Sequence, residues 1–223
     1  MRPRGPVRAV SRRSRGSALA LLASLMLAPR AHAQLIEPPS PANSTIPASI
    51  RLVGRDANGT PDPVGVFRVT VRDLANNPRA GVTVSVDLTN APDVVLCDGP
   101  GPLGQTIVCG SGASVVTGAD GVATFDLAGY VRASATTATL SAALRADGEL
   151  LGNVPVHAFD LDGAAGVGSG DLSRWLTDFG SGTVWARGDY DDSGMLGAGD
   201  LSLWLTVFGA GRSIVSCGAT ACP

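Results

Sequence analysis

The strongest constraint on this chain is a duplication near its end. Asp160-Leu161-Asp162, followed by Val167-Gly168-Ser169-Gly170-Asp171-Leu172-Ser173-Arg174-Trp175-Leu176-Thr177-Asp178-Phe179-Gly180, returns 29 residues later. The second copy begins Asp189-Tyr190-Asp191-Asp192-Ser193-Gly194-Met195-Leu196-Gly197-Ala198-Gly199-Asp200 and closes with Leu201-Ser202-Leu203-Trp204-Leu205-Thr206-Val207-Phe208-Gly209. The pattern Asp-Leu-Ser-x-Trp-Leu-Thr-x-Phe-Gly is shared without a gap. A unit repeated at fixed period cannot bury its apolar side alone and must pack on its neighbour.

Each copy reads as a twelve-residue acidic loop running into a short helix. In the second, Asp189, Asp191 and Ser193 place oxygens at loop positions 1, 3 and 5. Gly194 permits a sharp turn at 6, the Met195 carbonyl serves at 7, a water beside Gly197 serves at 9, and Asp200 closes at 12. Leu196 at position 8 packs inward. Hard oxygens at these intervals are what Ca²⁺ takes from a flexible loop. The helix then sets Leu201, Trp204, Leu205 and Phe208 at i, i+3, i+4 and i+7, an apolar face expected to meet its counterpart Leu172, Trp175, Leu176 and Phe179. Gly180 and Gly209 suit helix C-caps.

This tandem resembles a type I dockerin, with two calcium loops each followed by a helix, over residues 158–211. The resemblance implies a calcium-dependent module that attaches to a cohesin-like receptor. The expected calcium ligands are Asp189, Asp191, Ser193, Met195 and Asp200 in loop two, and Asp160, Asp162 and Asp171 in loop one. Loop one departs from the pattern, with Ala164 at position 5 and Ala165 where the turn glycine belongs, and is expected to bind calcium weakly or not at all. In dockerins, positions 10 and 11 and the following helix face the cohesin. Here those positions hold Ser169-Gly170 and Ala198-Gly199, a small-residue pair suggesting a recognition face.

Upstream the period changes to two. Phe67, Val69 and Val71 alternate with Arg68, Thr70 and Arg72; Val82, Val84, Val86 and Leu88 alternate with Thr83, Ser85, Asp87 and Thr89. One face is apolar and one polar, as in antiparallel sheets. Further strands are expected at 49–53, 113–117, 122–127, 136–145 and 150–158, separated by turns such as Asn76-Asn77-Pro78 and Gly118-Ala119-Asp120-Gly121. Val69-Thr70-Val71-Arg72-Asp73 with Asn77-Pro78-Arg79-Ala80-Gly81-Val82-Thr83-Val84, and Thr117-Gly118-Ala119-Asp120-Gly121-Val122-Ala123-Thr124-Phe125, resemble the hairpins of bacterial Ig-like domains of the invasin/intimin type. Such modules act as spacers or adhesive units. The expected fold is therefore mainly β, an Ig-like antiparallel β-sandwich (48–158) followed by a small α module of two EF-hand-like loop–helix repeats (159–212) and a tail (213–223).

The first 33 residues read as an export signal: arginines, an apolar run from Ala18 to Ala28, and Ala31-His32-Ala33 before Gln34. Ser11-Arg12-Arg13 lacks the apolar residue expected soon after a twin-arginine pair. The run is too short for a permanent span, and the mature protein is expected to be secreted or cell-surface associated. Residues 34–47 are a Pro-rich linker. Four cysteines in an exported chain predict disulfides, with sequence proximity favouring Cys97–Cys109 and Cys217–Cys222 among the three pairings.

All 17 basic residues are arginine, and seven precede residue 34; the remainder sets 10 Arg against 19 Asp plus Glu, a net charge of −9. That argues against nucleic acid as a partner. Catalysis has little raw material: one mature histidine (His157), no lysine, and only Glu37 and Glu149 as glutamates. Gly166-Val167-Gly168-Ser169-Gly170 is neither a phosphate loop nor a nucleophile elbow. Trp175, Trp204 and His157 read as core residues. The expectation is a non-enzymatic attachment protein; the alternatives are a surface adhesin binding through the Ig-like domain, or an accessory protein of extracellular polysaccharide breakdown.

Overall fold

The computed structural model describes residues 37–55, 60–97, 103–108, 112–132, 140–163, 166–182 and 185–210. The signal segment, the loop-one positions Ala164 and Ala165, Cys109, Cys217 and Cys222 lie outside them. The described chain is mainly β, with ten strands and two α-helices.

The strands are β1 (Ile50–Leu52), β2 (Val66–Thr70), β3 (Thr83–Asp87), β4 (Val94–Leu96), β5 (Thr106–Val108), β6 (Gly112–Val116), β7 (Val122–Asp126), β8 (Gly129–Val131), β9 (Ser141–Ala146) and β10 (Glu149–Ala158). Six form one sheet in the order β1-β10-β9-β3-β6-β5; β2 pairs with β7, and β4 with β8. The alternating residues behave as their period requires: Val84 and Val86 are buried while Thr83 is exposed, and Phe67 and Val69 are buried on either side of exposed Arg68. Residues from the six-stranded sheet (Val84, Val86, Leu144, Val154, Val156) and from the β2–β7 pair (Phe67, Val69, Phe125) share one apolar cluster. Phe67 faces Phe125 across the β2–β7 register, their rings stacked 5.0 Å apart.

Two features depart from the expected pattern. β1 pairs with β10 in parallel, Ile50 opposite Val156 and Leu52 opposite Ala158, so the large sheet is not wholly antiparallel. Some hundred residues separate these strands, so no tight turn fixes their direction, and an edge strand is free to enter either way. The three-residue strands β4, β5 and β8 were not expected, because three residues are too few to establish a period. The Pro-rich stretch is also laid against the sheet region: Ser40 N–H donates to Arg72 O (2.7 Å) and Thr45 exchanges backbone bonds with Thr70 (2.8 and 2.9 Å). Cys97 is disulfide-bonded. Among the described residues no helix is long and apolar enough to cross a membrane.

A second apolar cluster sits where the last strand runs into the acidic repeats. Phe159, Leu161, Val167, Trp175, Tyr190, Trp204 and Val207 pack with Val53, and Val64 borders them. The repeats therefore close on the end of the sheet as well as on each other.

Candidate metal centre

Both acidic loops end in a helix: α1 (Ser169–Gly180) and α2 (Ala198–Gly209). Each helix starts at a glycine with extended backbone, Gly168 or Gly197. The third helical residue turns its carboxylate back on the loop. Asp171 Oδ2 accepts from Gly168 N–H (2.7 Å) and Oδ1 from the N–H groups of Leu161 (2.6 Å) and Asp162 (3.1 Å). Asp200 does the same for Gly197 (2.8 Å) and Asp191 (3.1 Å). An acid in the first turn answers the exposed amides and the positive end of the helix dipole.

This inward turn sets which side of each helix is buried. From Asp171, i+4 and i+7 give Trp175 and Asp178; from Asp200 they give Trp204 and Val207, and these are the buried positions. The expected apolar face is corrected accordingly: Leu172 and Leu201 are half-buried, whereas Leu176, Phe179, Leu205 and Phe208 are each about half exposed (49, 53, 50 and 48 %). Phe179 and Phe208 instead lie stacked on Trp175 and Trp204, at 5.5 and 5.1 Å between centroids. Both tryptophans are core residues, as expected. Gly180 and Gly209 are corrected to last helical residues, followed by right-handed Ser181 and Ala210, and beyond α1 it is Gly182 that takes left-handed backbone (φ 70°).

The loops bring the expected acids together. Carboxylate oxygens of Asp189, Asp191 and Asp200 lie within 4.8 Å of one another, and those of Asp160, Asp162 and Asp171 do the same. In loop two, Asp189 accepts from the backbone of Ser193 (3.0 Å) and Gly194 (2.9 Å), and the Ser193 hydroxyl donates to Met195 O (3.0 Å). Ser193 and Met195 thus stand in one turn beside the acids. That turn needs left-handed backbone at Asp192 (φ 59°) and Gly194 (φ 80°), which is why glycine stands at position 6. Leu196 is half-buried against the repeat cluster, as its inward position requires.

Charge is compressed in both loops. Asp200 and Asp189 are buried, and among the described residues no arginine or histidine is ion-paired with Asp189, Asp191 or Asp200. Burial holds the Asp200 carboxyl above its usual range, while hydrogen bonding from Ser193 holds exposed Asp191 below it. In loop one, burial, followed by the negative charge of Asp171, pushes Asp160 up to about 6, and burial raises Asp171 too. A cluster of hard oxygens whose charge burial penalises fits a divalent cation of the calcium type. Loop two offers three carboxylates, a hydroxyl and a main-chain carbonyl; loop one offers three carboxylates among its described residues.

Sequence reasoning missed several supporting contacts. Asp178 forms a buried two-bond pair with Arg187 (2.8 Å each), and Arg187 also lies over the Trp185 ring, 4.7 Å from its centroid. Asp192, in loop two but outside the expected ligand set, accepts from the Ser49 hydroxyl (2.7 Å), lies 3.9 Å from Arg51, and has its Oδ1 2.8 Å from His157 Nε2. His157 is buried between this carboxylate and Ala186 O, so it is a structural clasp. Finally, Trp175 N–H donates to Gly188 O (3.1 Å). The one sequence signal was Asp178, a charge at a helix position that is apolar Val207 in the second copy.

Compared with known proteins, the chain matches no family model, and no curated protein matches it.

Proposed function

We propose that this is an exported, non-catalytic protein. Its C-terminal dockerin-like pair of EF-hand-like loops binds Ca²⁺ and attaches it to a cohesin-like protein receptor, and its Ig-like β-sandwich serves as spacer or ligand-presenting unit. One observation carries the reading: Asp189, Asp191 and Asp200 converge within 4.8 Å with no neutralising arginine among the described residues, and three carboxylates converge likewise at Asp160, Asp162 and Asp171. Calcium supplies the positive charge that lets these carboxylates stay ionised together. The chain's residues do the rest. Asp200 and Asp171 tie loop to helix, Trp204 and Trp175 anchor the helices in a common cluster, and the outer ridge of Leu176, Phe179, Leu205 and Phe208 stays accessible for recognition.

The test is capture of the full chain by an immobilised cohesin domain in calcium and in chelator. Capture in calcium alone, lost in the Asp189→Ala/Asp200→Ala variant, is expected; capture that ignores chelator defeats the reading. A second reading, a surface adhesin, is favoured by an open groove beside β1 and β2 lined by Ile46, Pro47, Arg51, Pro63, Phe67 and Arg68. It predicts target binding that survives that double variant.

A further inference from the structure

The glycines at the second position of each helix have a use that the small-residue reading did not anticipate. A methyl group built on Gly199 would overlap Asp191 Oδ2 and come within 3.2 Å of its Cγ. One built on Gly170 would overlap Asp162 Oδ2 and come within 3.4 Å of its Cγ. In both copies the carboxylate of loop position 3 lies directly against the helix where a side chain is missing. Gly180 and Gly209, at the far ends of the same helices, have nothing within 4 Å of such a methyl. The requirement is local to the acidic cluster.

We propose that Gly199 and Gly170 are positioning residues for the two cation sites: only a residue without a side chain lets Asp191, or Asp162, lie on the first helical turn while facing its two partner carboxylates. The inference rests on the calcium reading above. Asp191 is exposed, so in the metal-free chain an alanine at 199 is accommodated by swinging that carboxylate aside. The swing removes one oxygen from the cluster it forms with Asp189 and Asp200. Binding then suffers although folding does not. Glycine is also a poor helix former, so a purely structural view predicts that Gly199→Ala is harmless or stabilising and leaves calcium binding alone.

The experiment uses the full chain as wild type, G199A, G170A and the control G209A. Each is titrated with Ca²⁺ by calorimetry and melted in excess chelator. G199A is expected to weaken the loop-two site roughly tenfold or more, the usual scale for residues that orient metal ligands, with an unchanged or raised melting temperature in chelator. G170A does the same to any loop-one binding, and G209A leaves calcium binding unchanged. If G199A binds calcium as wild type does, or if it melts far lower in chelator, the positioning role is overturned while the calcium reading stands. A wild-type chain that binds no calcium removes both.

Discussion

The two acidic copies share a skeleton and differ in what surrounds it. Each has three converging carboxylates, a helix begun by an inward-turned Asp, and a buried Trp covered by a Phe. Copy one is fitted into the protein. Tyr130 bridges to Asp160, Val131 N–H donates to Asp160 O (3.1 Å), and its helix is pinned by the Asp178–Arg187 pair. Copy two keeps an exposed Asp191 and Ser193 and meets the strand end through buried Tyr190, whose hydroxyl donates to Ala158 O (3.2 Å) and whose ring stacks on Phe159, and through Asp192. The position that holds Asp178 in copy one holds Val207 in copy two, and both are buried. The lesson is that the loops differ at their middle acid, half-buried Asp162 against exposed Asp191; under the calcium proposal that difference makes loop two the more accessible ion site.

That contrast can be broken most forcefully at the paired helix positions. Asp178→Ala removes both carboxylate contacts of buried Arg187 and should cost about 3–5 kcal/mol in denaturant unfolding, whereas Val207→Ala should cost about 2 kcal/mol through lost burial alone. Equal losses would mean that the two copies are held in the same way.

The pH response should be next in size. In chelator, folded Asp160 takes up its proton near 6, above the usual carboxylate value of 3.8. The folded state thus binds the proton more tightly, and stability fully present below that usual value is lost as pH rises through 6. The metal-free chain should melt at a lower temperature at pH 7 than at pH 5. With calcium the trend should reverse, since acid then competes with the ion. A melting temperature in chelator that climbs from pH 5 to pH 7 would refute the assignment of strain to loop one.

A finer comparison uses the indole N–H groups. Trp175 donates to Gly188 O, whereas Trp204 Nε1 is buried with no partner among the described residues. Trp175→Phe should therefore cost about 1 kcal/mol more than Trp204→Phe. Smallest is the clasp on loop two: Asp192→Asn keeps a residue tolerant of left-handed backbone and weakens the contacts to Ser49, Arg51 and His157, at a cost of about 1 kcal/mol or less. A larger loss would make that clasp the main tie between loop two and the strands.

The acid positions were legible because loop chemistry demands particular residues at particular intervals, and a duplication shows those intervals twice. The strands β2 and β3 were legible from their period, and β6, β7, β9 and β10 overlap the other expected segments. The buried face of α1 and α2 was not: Leu176, Phe179, Leu205 and Phe208 look more apolar than Asp178, but the helix phase is set by the inward turn of Asp171 and Asp200, a hydrogen-bonding constraint that hydropathy does not register. Contacts joining distant segments, such as β1 with β10 or Ser49 with Asp192, leave no local trace. The glycines at 170 and 199 read as small surface residues, since only coordinates reveal which carboxylate lies over them.

The central claim is that loop two is a calcium site built on Asp189 and Asp200. Calorimetric titration of the full chain with Ca²⁺ tests it most directly, alongside the Asp189→Ala/Asp200→Ala variant. The account predicts saturable binding, which for an extracellular module can be as weak as roughly 10⁻⁴–10⁻³ M, with the tighter site absent from the variant. A wild-type chain giving no binding heat at millimolar calcium, or a variant with the same isotherm, would contradict it.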